Sequence, residues 1–149
     1  MTIKVDKQDI LPYNISILNK KRKPTMNMQA FKVFQIRLTD AEIDLINKEG
    51  HSAVHKNSLR LDMNLGREDT GRLAADGFNR GYYTHVSNIT ALDLEGVFHV
   101  GNMGPEELIE RFAPMHSLSV GDIVEGADGV KHVVADFGFK KVDEIKVLA

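Results

Sequence analysis

The feature that most constrains the fold of this 149-residue chain lies near its C-terminus, in residues 115–142. Three short β-type runs, at residues 119–125, 130–135 and 137–142, are separated there by glycine and aspartate. Asp128-Gly129 stands between the first two runs, and this dipeptide is the strongest short-range signal for a β-hairpin. The sequence therefore predicts a C-terminal β-meander around which the rest of the domain packs.

Glycine and aromatic residues have definite expected roles in this meander. Gly121 and Gly129 are expected at turn or bulge positions, where a side chain would be strained. Phe137 and Phe139 are expected to close the hydrophobic core. These assignments make the meander a scaffold, and they direct the search for function to the segments before it.

Two local signals define the middle of the chain. Residues 31–38 alternate apolar and polar side chains, and the alternation slips once between Val33 and Phe34, which indicates a bulge or a strand buried on both faces at its start. Thr39-Asp-Ala-Glu42 then has the form of a capping box. With Gly50 as a left-handed stop, this predicts a helix over residues 40–49.

The next stretch is less regular. Residues 59–65 alternate leucine or methionine with polar side chains, which predicts a half-buried strand. Residues 66–81 contain four glycines among charged residues. This predicts a long loop with one helical turn near residues 72–76, and long loops in small domains are usually functional or disordered.

Three further elements are predicted between this loop and the meander. Residues 82–89 are rich in aromatic and β-branched side chains and predict a strand. A helix capped by Thr90 is expected over residues 91–100. Pro105 is expected at the first position of a short helix over residues 106–112.

Together these patterns predict one α+β domain, with a mostly antiparallel sheet, two or three helices packed on one face, and the C-terminal meander. The domain is expected to span residues 30–149, preceded by a basic N-terminal arm or edge strands at residues 1–29. Residues 1–37 carry eight lysines and arginines against two aspartates, whereas the remainder carries 11 basic and 19 acidic residues. Such asymmetry is typical of chains that bind acidic partners, and also of a solvated arm that pairs loosely with an acidic body.

The chain has no cysteine, no apolar run of signal-peptide type and no continuous apolar stretch of membrane-spanning length. The expectation is a soluble cytoplasmic protein with no disulfides and no membrane association.

Residues that could carry chemistry do not form a recognisable catalytic motif. His51 and His55 have the spacing of two ligands on one helix face, but Ser-Ala-Val between them lacks the glutamate of a metalloprotease. His116 lies next to Ser117, but neighbouring residues in a strand point to opposite faces. Asp122 and Asp136 each have a simpler structural role in the meander. We therefore expect no enzyme activity, no metal site and no cofactor; a small hydrolase that uses the histidines is a third, weaker hypothesis.

Several segments together resemble a known family. The matching parts are Tyr83-Thr-His-Val, residues 92–97, Phe112-x-Pro-x-His116-Ser-Leu-Ser-Val-Gly-Asp-Ile-Val124, and Asp128-Gly129 through Phe137-Gly-Phe139. This pattern is similar to the YodL-like domain, over roughly residues 82–142. The resemblance implies a phage or mobile-element accessory protein, and the family has no assigned activity that could be transferred to individual residues.

The leading hypothesis is a non-enzymatic protein that binds and modulates a host macromolecule, most simply a host protein in a bacterial cytoplasm. The expected surface combines the 66–81 segment with acidic residues that follow it. Its candidate residues are Arg67, Glu68, Asp69, Arg72, Asp93, Glu95, Glu106, Glu107 and Glu110. A homo-oligomer is compatible with this hypothesis.

The alternative hypothesis is an accessory protein that binds single-stranded DNA or RNA. Lysine and arginine neutralise phosphates, and aromatic rings stack on bases. The candidate residues are Tyr13, Lys20, Lys21, Arg22 and Lys23.

Overall fold

The computed structural model describes residues 28–66 and 69–142, in which six antiparallel strands form one sheet. The strands are β1 (Gln29–Ile36), β2 (Tyr83–Ala91), β3 (Ile109–Arg111), β4 (Ile123–Glu125), β5 (Lys131–Val134) and β6 (Phe139–Lys141). Their order across the sheet is β3-β2-β1-β4-β5-β6. The predicted N-terminal arm lies largely outside the described residues.

Four α-helices accompany the sheet, so the predicted α+β class is confirmed. They are α1 (Asp40–Glu49), α2 (His55–Asn64), α3 (Thr70–Asn79) and α4 (Leu94–Met103), with 3-10 turns at His51–Ala53 and Glu106–Leu108. Within the two described ranges, every helix is too short or too polar to cross a membrane.

The sheet separates two hydrophobic cores. One comprises Phe31, Val33, Val86, Ile89, Ala91, Val97, Val100, Leu118 and Val124. The other comprises Ile36, Leu59, Met63, Leu73, Ala74, Ala75, Ile123, Val133 and Val142. Successive residues of a strand point to opposite faces, so the neighbours Ile123 and Val124 place the two cores on opposite sides. Helices α2 and α3 pack on one face of the sheet, and α4 covers the other.

Strand β1 is central in the sheet, and residues 33–36, rather than its start, are covered on both faces; Ala30 and Lys32 are exposed. Val33 pairs with Ser87 whereas Phe34 pairs with His85, so the register shifts between the two and Val86 is the extra residue on β2. The predicted irregularity is therefore confirmed. Because both faces are covered at this end of β1, the polar residue Gln35 must find partners inside the protein.

Helix α1 begins and ends where the capping signals place it. The Thr39 hydroxyl accepts from the Glu42 N–H at 3.1 Å, and the Glu42 carboxylate accepts from the Thr39 N–H at 2.8 Å. Gly50 ends the helix with a φ of 102°. However, α1 has no buried residue, so its expected apolar stripe is not part of either core. An ion pair at 3.0 Å between Glu42 and Lys56 links it to α2.

The predicted strand at residues 59–65 is wrong, because these residues belong to α2. Leu59 and Met63 are buried and four residues apart, which is the repeat of one helix face. Leu65, which also fits a two-residue alternation, is 59% exposed. The apolar residues of this segment therefore fit the period of a strand by coincidence, although the segment forms a helix.

The predicted loop at residues 66–81 is also wrong for most of its length, which forms α3. Asp69 caps this helix by accepting from the Gly71 N–H at 2.9 Å. Gly71 and Gly77 are buried within the helix. Gly77 is a position of close packing: a Cβ there would lie 2.7 Å from Leu59 Cδ2 and 3.1 Å from Tyr83 Cε1.

Replacing Gly77 with alanine is expected to lower the free energy of unfolding by about 1–3 kcal/mol, because the added methyl group would overlap the buried Leu59 side chain and force it to move. Alanine alone would favour the helix by about 1 kcal/mol, so a stabilised variant would show that the packing is loose. Urea unfolding followed by circular dichroism measures the change. Asn79→Ala, at an exposed position of the same helix, is the control and should change stability by less than about 0.5 kcal/mol.

Two boundaries around α4 differ from the prediction. Strand β2 continues to Ala91, and Asp93 rather than Thr90 caps the helix, by accepting from the Gly96 N–H at 2.8 Å. The short helix expected over residues 106–112 is a single 3-10 turn followed by strand β3. Three residues of that segment pair with β2 instead, so tertiary pairing overrides the local helix signal.

The C-terminal meander is confirmed in its main features. Gly129 has a φ of 82°, and the Asp128 carboxylate accepts from the Val130 N–H at 3.0 Å in the hairpin between β4 and β5. Strand β4 begins only at Ile123, because residues 119–122 form a turn. Phe139 packs against the core covered by α4. Phe137 does not close the core: it is 95% exposed at the turn between β5 and β6.

Candidate functional site

A buried amide connects the central strand to the loop of residues 112–122. Gln35 on β1 is fully buried. Its Nε2 donates to the Asp122 carboxylate at 3.0 Å and to the His116 carbonyl at 2.9 Å, while its Oε1 accepts from the His116 N–H at 3.1 Å. One side chain thereby fixes both the loop and the carboxylate that precedes β4.

The hydrogen bonds of His116 define its tautomer. Nδ1 lies 2.7 Å from the Ser117 carbonyl oxygen, which can only accept, so Nδ1 carries the proton. The contact of 3.3 Å between Nδ1 and Gln35 Nε2 then joins two donors and is not a hydrogen bond in this tautomer. Nε2 is left as the basic nitrogen, and the side chain is 49% exposed.

Asp122 is the buried ionisable group at the centre of this network. Burial raises the pKa of its carboxyl to about 6, although the Ser119 N–H, His116, Gln35 and Arg60 all favour the charged form. Its Oδ2 accepts from the Ser119 N–H at 3.0 Å as well as from Gln35. A carboxyl with such a pKa changes charge near neutral pH, which is a frequent property of functional sites.

Tyr83 closes the network from β2. Its hydroxyl donates to the Gly121 carbonyl at 2.7 Å, next to Asp122. Burial, and then the charge of Asp122, raise the pKa of this phenol. Tyr83 therefore stays neutral and acts as a hydrogen-bond donor that holds the turn before β4.

A cleft of about 120 Å³ opens beside this network, between α2 and the 112–122 loop. It is lined by Ile36, Arg60, Leu61, Asn64, His116, Ser119, Val120, Gly121 and Asp122. We refer to it as the Arg60–Asp122 cleft. The sequence indicated only a structural role for Asp122 and gave no reason to connect it with Arg60 or Gln35.

The other histidine hypotheses have structural outcomes. The ring of His116 bonds to the carbonyl of Ser117, so this contact is not a nucleophile–base pair. His51 lies in a 3-10 turn, and His55 Nδ1 lies 2.8 Å from the Tyr82 hydroxyl. Across residues 28–66 and 69–142, no three His, Asp or Glu side chains are grouped as a metal site.

The residues expected to form an interaction surface fall into two groups. Asp69 and Arg72 are exposed at the start of α3, on the side of the sheet that α2 and α3 cover. Arg67 and Glu68 lie outside the described residues. The nucleic-acid candidates Tyr13, Lys20, Lys21, Arg22 and Lys23 also lie outside them.

The acidic group belongs to the α4 side of the molecule. Asp93 caps α4, Glu95 lies in its first turn, and Glu106 forms a bidentate pair with Arg111 at 2.6 and 3.0 Å. Glu107 and Glu110 are exposed nearby in sequence, in the 3-10 turn and β3. Because α3 and α4 pack on opposite faces of the sheet, the structure does not bring the two groups together.

Two turns that each expose a large apolar side chain approach one another, and one of them lies close in sequence to the first group. Phe137, at 95% exposure, lies next to Asp136, and Leu65, at 59% exposure, lies next to Gly66. Gly66 and Asp136 are in close proximity: a Cβ on Gly66 would be 3.3 Å from Asp136 Oδ2. We call Leu65 and Phe137, with the Gly66–Asp136 contact between them, the Phe137 patch.

Comparisons with protein-family models, with curated proteins and with solved structures found no match. The geometry of the chain is therefore the basis for assigning its function.

Proposed function

We propose that this chain is a non-enzymatic binding protein that docks on a partner protein through the Phe137 patch. The observation that carries the proposal is the almost complete exposure of Phe137 at a turn whose neighbour, Leu65, is also exposed. Soluble proteins rarely expose large contiguous apolar surfaces except where a partner binds, so two neighbouring turns that each expose a large apolar side chain support a protein-binding surface here. Burying a phenylalanine side chain contributes roughly 1.5–3 kcal/mol, enough to make it a central anchor of an interface.

The surroundings of the patch suit a protein interface. Asp136 lies within the patch, and α3 begins close by in sequence with the exposed side chains of Asp69 and Arg72. An aromatic anchor surrounded by charged residues corresponds to the apolar centre and polar rim of interfaces. Of the interaction surface predicted from the sequence, this proposal retains the 66–81 segment and omits the acidic residues on the α4 side.

The resemblance to the YodL-like domain supports a narrower version of the proposal. In that version the chain is an accessory protein of phage or mobile-element type that modulates a host protein in a bacterial cytoplasm. The nucleic-acid alternative depends on Tyr13 and residues 20–23.

The Phe137→Ser variant is expected to lose partner binding while its unfolding midpoint stays within experimental error of the parent protein, because the ring makes almost no contact with its own fold. The measurement is a pull-down from bacterial lysate with and without nuclease, quantified by mass spectrometry. We expect at least about tenfold lower recovery of the specific partner, corresponding to about 1.4 kcal/mol.

Met103→Ser is the control, since Met103 is 75% exposed on α4 and should leave recovery unchanged. Equal recovery of the same proteins by the parent chain and Phe137→Ser would contradict docking through this patch. Recovery that disappears with nuclease and persists in Phe137→Ser would instead support the nucleic-acid alternative.

A further inference from the structure

The Arg60–Asp122 cleft presents more hydrogen-bond donors than the protein itself uses. Arg60 Nη2 donates to Asn57 Oδ1 at 3.0 Å, and a guanidinium has four further N–H groups. Ion pairs between residues of the described ranges do not include Arg60. Its positive charge is therefore not neutralised by an ion pair from those ranges, although Asp122, which lines the same cleft, interacts with it electrostatically.

The opposite wall carries a histidine. His116 is half-exposed, and its Nε2 has no hydrogen-bond partner among the described residues. An imidazole that carries a proton on both nitrogens donates from each of them, and in that form the ring can donate to an anion. The Ser119 side chain and the Asn64 amide also line the cleft and can donate.

We propose that this cleft binds a small oxyanion, the carboxylate or phosphate group of a small molecule, between the Arg60 guanidinium and the His116 ring. The planar fork of arginine matches the geometry of both groups. The volume of about 120 Å³ is close to that of a cavity of about 150 Å³ that holds one benzene molecule, so a group of this size fits. The site is independent of the Phe137 patch.

The charge of Asp122 controls this site. Groups from four parts of the fold surround Asp122. They are Arg60 of α2, Gln35 of β1, Tyr83 of β2, and His116 and Ser119 of its own loop. As a carboxylate it repels an incoming anion and attracts Arg60; as a neutral carboxyl it does neither. Since burial places its pKa at about 6, anion binding strengthens as the pH falls through this value.

The test is a titration of the full chain with acetate and, separately, with inorganic phosphate, followed by amide chemical shifts in NMR spectra at pH 5.5 and 7.5. Acetate remains ionised at both pH values, so its affinity reports on the protein groups. We expect saturable shifts at Arg60, His116 and Ser119, and a dissociation constant for acetate about tenfold lower at pH 5.5. Tighter binding of acetate would indicate that the ligand carries a carboxylate, and tighter binding of phosphate that it carries a phosphate group.

Three variants separate a built site from adventitious binding. Arg60→Gln should weaken binding about tenfold or more, Arg60→Lys should give an intermediate loss, and Asp122→Asn should remove most of the pH dependence. Arg111→Gln is the matched control, because Arg111 is on the edge strand β3 and pairs with Glu106.

Unchanged binding in Arg60→Gln would overturn the proposal. The absence of saturable shifts at the cleft for both ions, up to about 50 mM, would overturn it as well, since even a weak specific site has a millimolar dissociation constant.

Discussion

Replacing Gln35 with leucine is expected to lower the free energy of unfolding by about 3–5 kcal/mol at pH 7.5. Leucine fills similar space, but it leaves the His116 N–H, the His116 carbonyl and the Asp122 carboxylate without the amide that bonds to them. The two part-buried His116 groups cost about 1–3 kcal/mol each when unsatisfied, and the buried Asp122 carboxylate keeps only the Ser119 N–H of its two hydrogen bonds. Urea unfolding followed by circular dichroism measures the loss.

Gln29→Leu is the control for this experiment. Gln29 begins the same strand, but it is exposed and accepts only from the Ala127 N–H at 3.3 Å. Its replacement should change stability by less than about 0.5 kcal/mol. If Gln35→Leu lost less than about 1 kcal/mol, the 112–122 loop would have to be anchored by other contacts.

The second large effect concerns the dependence of stability on pH. The pKa of Asp122 is raised from 3.8 to about 6 in the folded protein. The folded state therefore binds this proton more tightly than the unfolded state. Its stabilising contribution is fully present below about pH 3.8 and is lost as the pH rises through about 6. At about 1.4 kcal/mol per pH unit, the loss amounts to as much as about 3 kcal/mol.

Asp122→Asn removes this dependence, because asparagine has no proton to release. Between pH 4 and 7.5, the stability of the variant should therefore rise relative to the parent protein by about 2–3 kcal/mol. Urea unfolding of both proteins at half-unit pH intervals measures the difference. A difference that stays constant over this range would mean that the carboxyl titrates at its ordinary pKa.

Local signals were sufficient to predict the elements whose ends are fixed by short-range hydrogen bonds. The capping box of Thr39 and Glu42, the stop at Gly50 and the hairpin at Asp128-Gly129 involve atoms at most four residues apart. Their chemistry is therefore contained in the sequence windows that reveal them. The irregularity between Val33 and Phe34 was visible in the sequence because Phe31 and Val33 face one core whereas Phe34 and Ile36 face the other; the extra residue itself, Val86, lies on β2.

Periodicity failed where two elements share one apolar pattern. In α2 the same residues satisfy a two-residue and a four-residue repeat, and only packing of Leu59 and Met63 against the sheet decides between them. In α3 the glycines resembled loop residues. Gly77 is instead required by the side chains of Leu59 and Tyr83, which come from other elements.

The candidate site was not predictable for a different reason. Gln35 lies 81 and 87 residues from its partners His116 and Asp122 in the sequence. Gln35 occupies a polar position in an alternating strand, and this pattern predicts a side chain that faces solvent. The side chain is buried because a second hydrophobic layer covers that face of the strand. Phe137 shows the opposite error. An aromatic residue in a β-meander is normally predicted to lie in the core, but this side chain is exposed.

The two outer strands of the sheet are only three residues long. Long, flat and apolar edge strands pair with further strands and lead to aggregation, whereas short edge strands with charged side chains resist it. The charged residues of both edge strands are exposed: Glu110 and Arg111 on β3, and Lys140 and Lys141 on β6. Within the described residues, the sheet therefore offers little template for fibre-like growth, and the chain can display an apolar patch elsewhere without its strands adding to those of neighbouring copies.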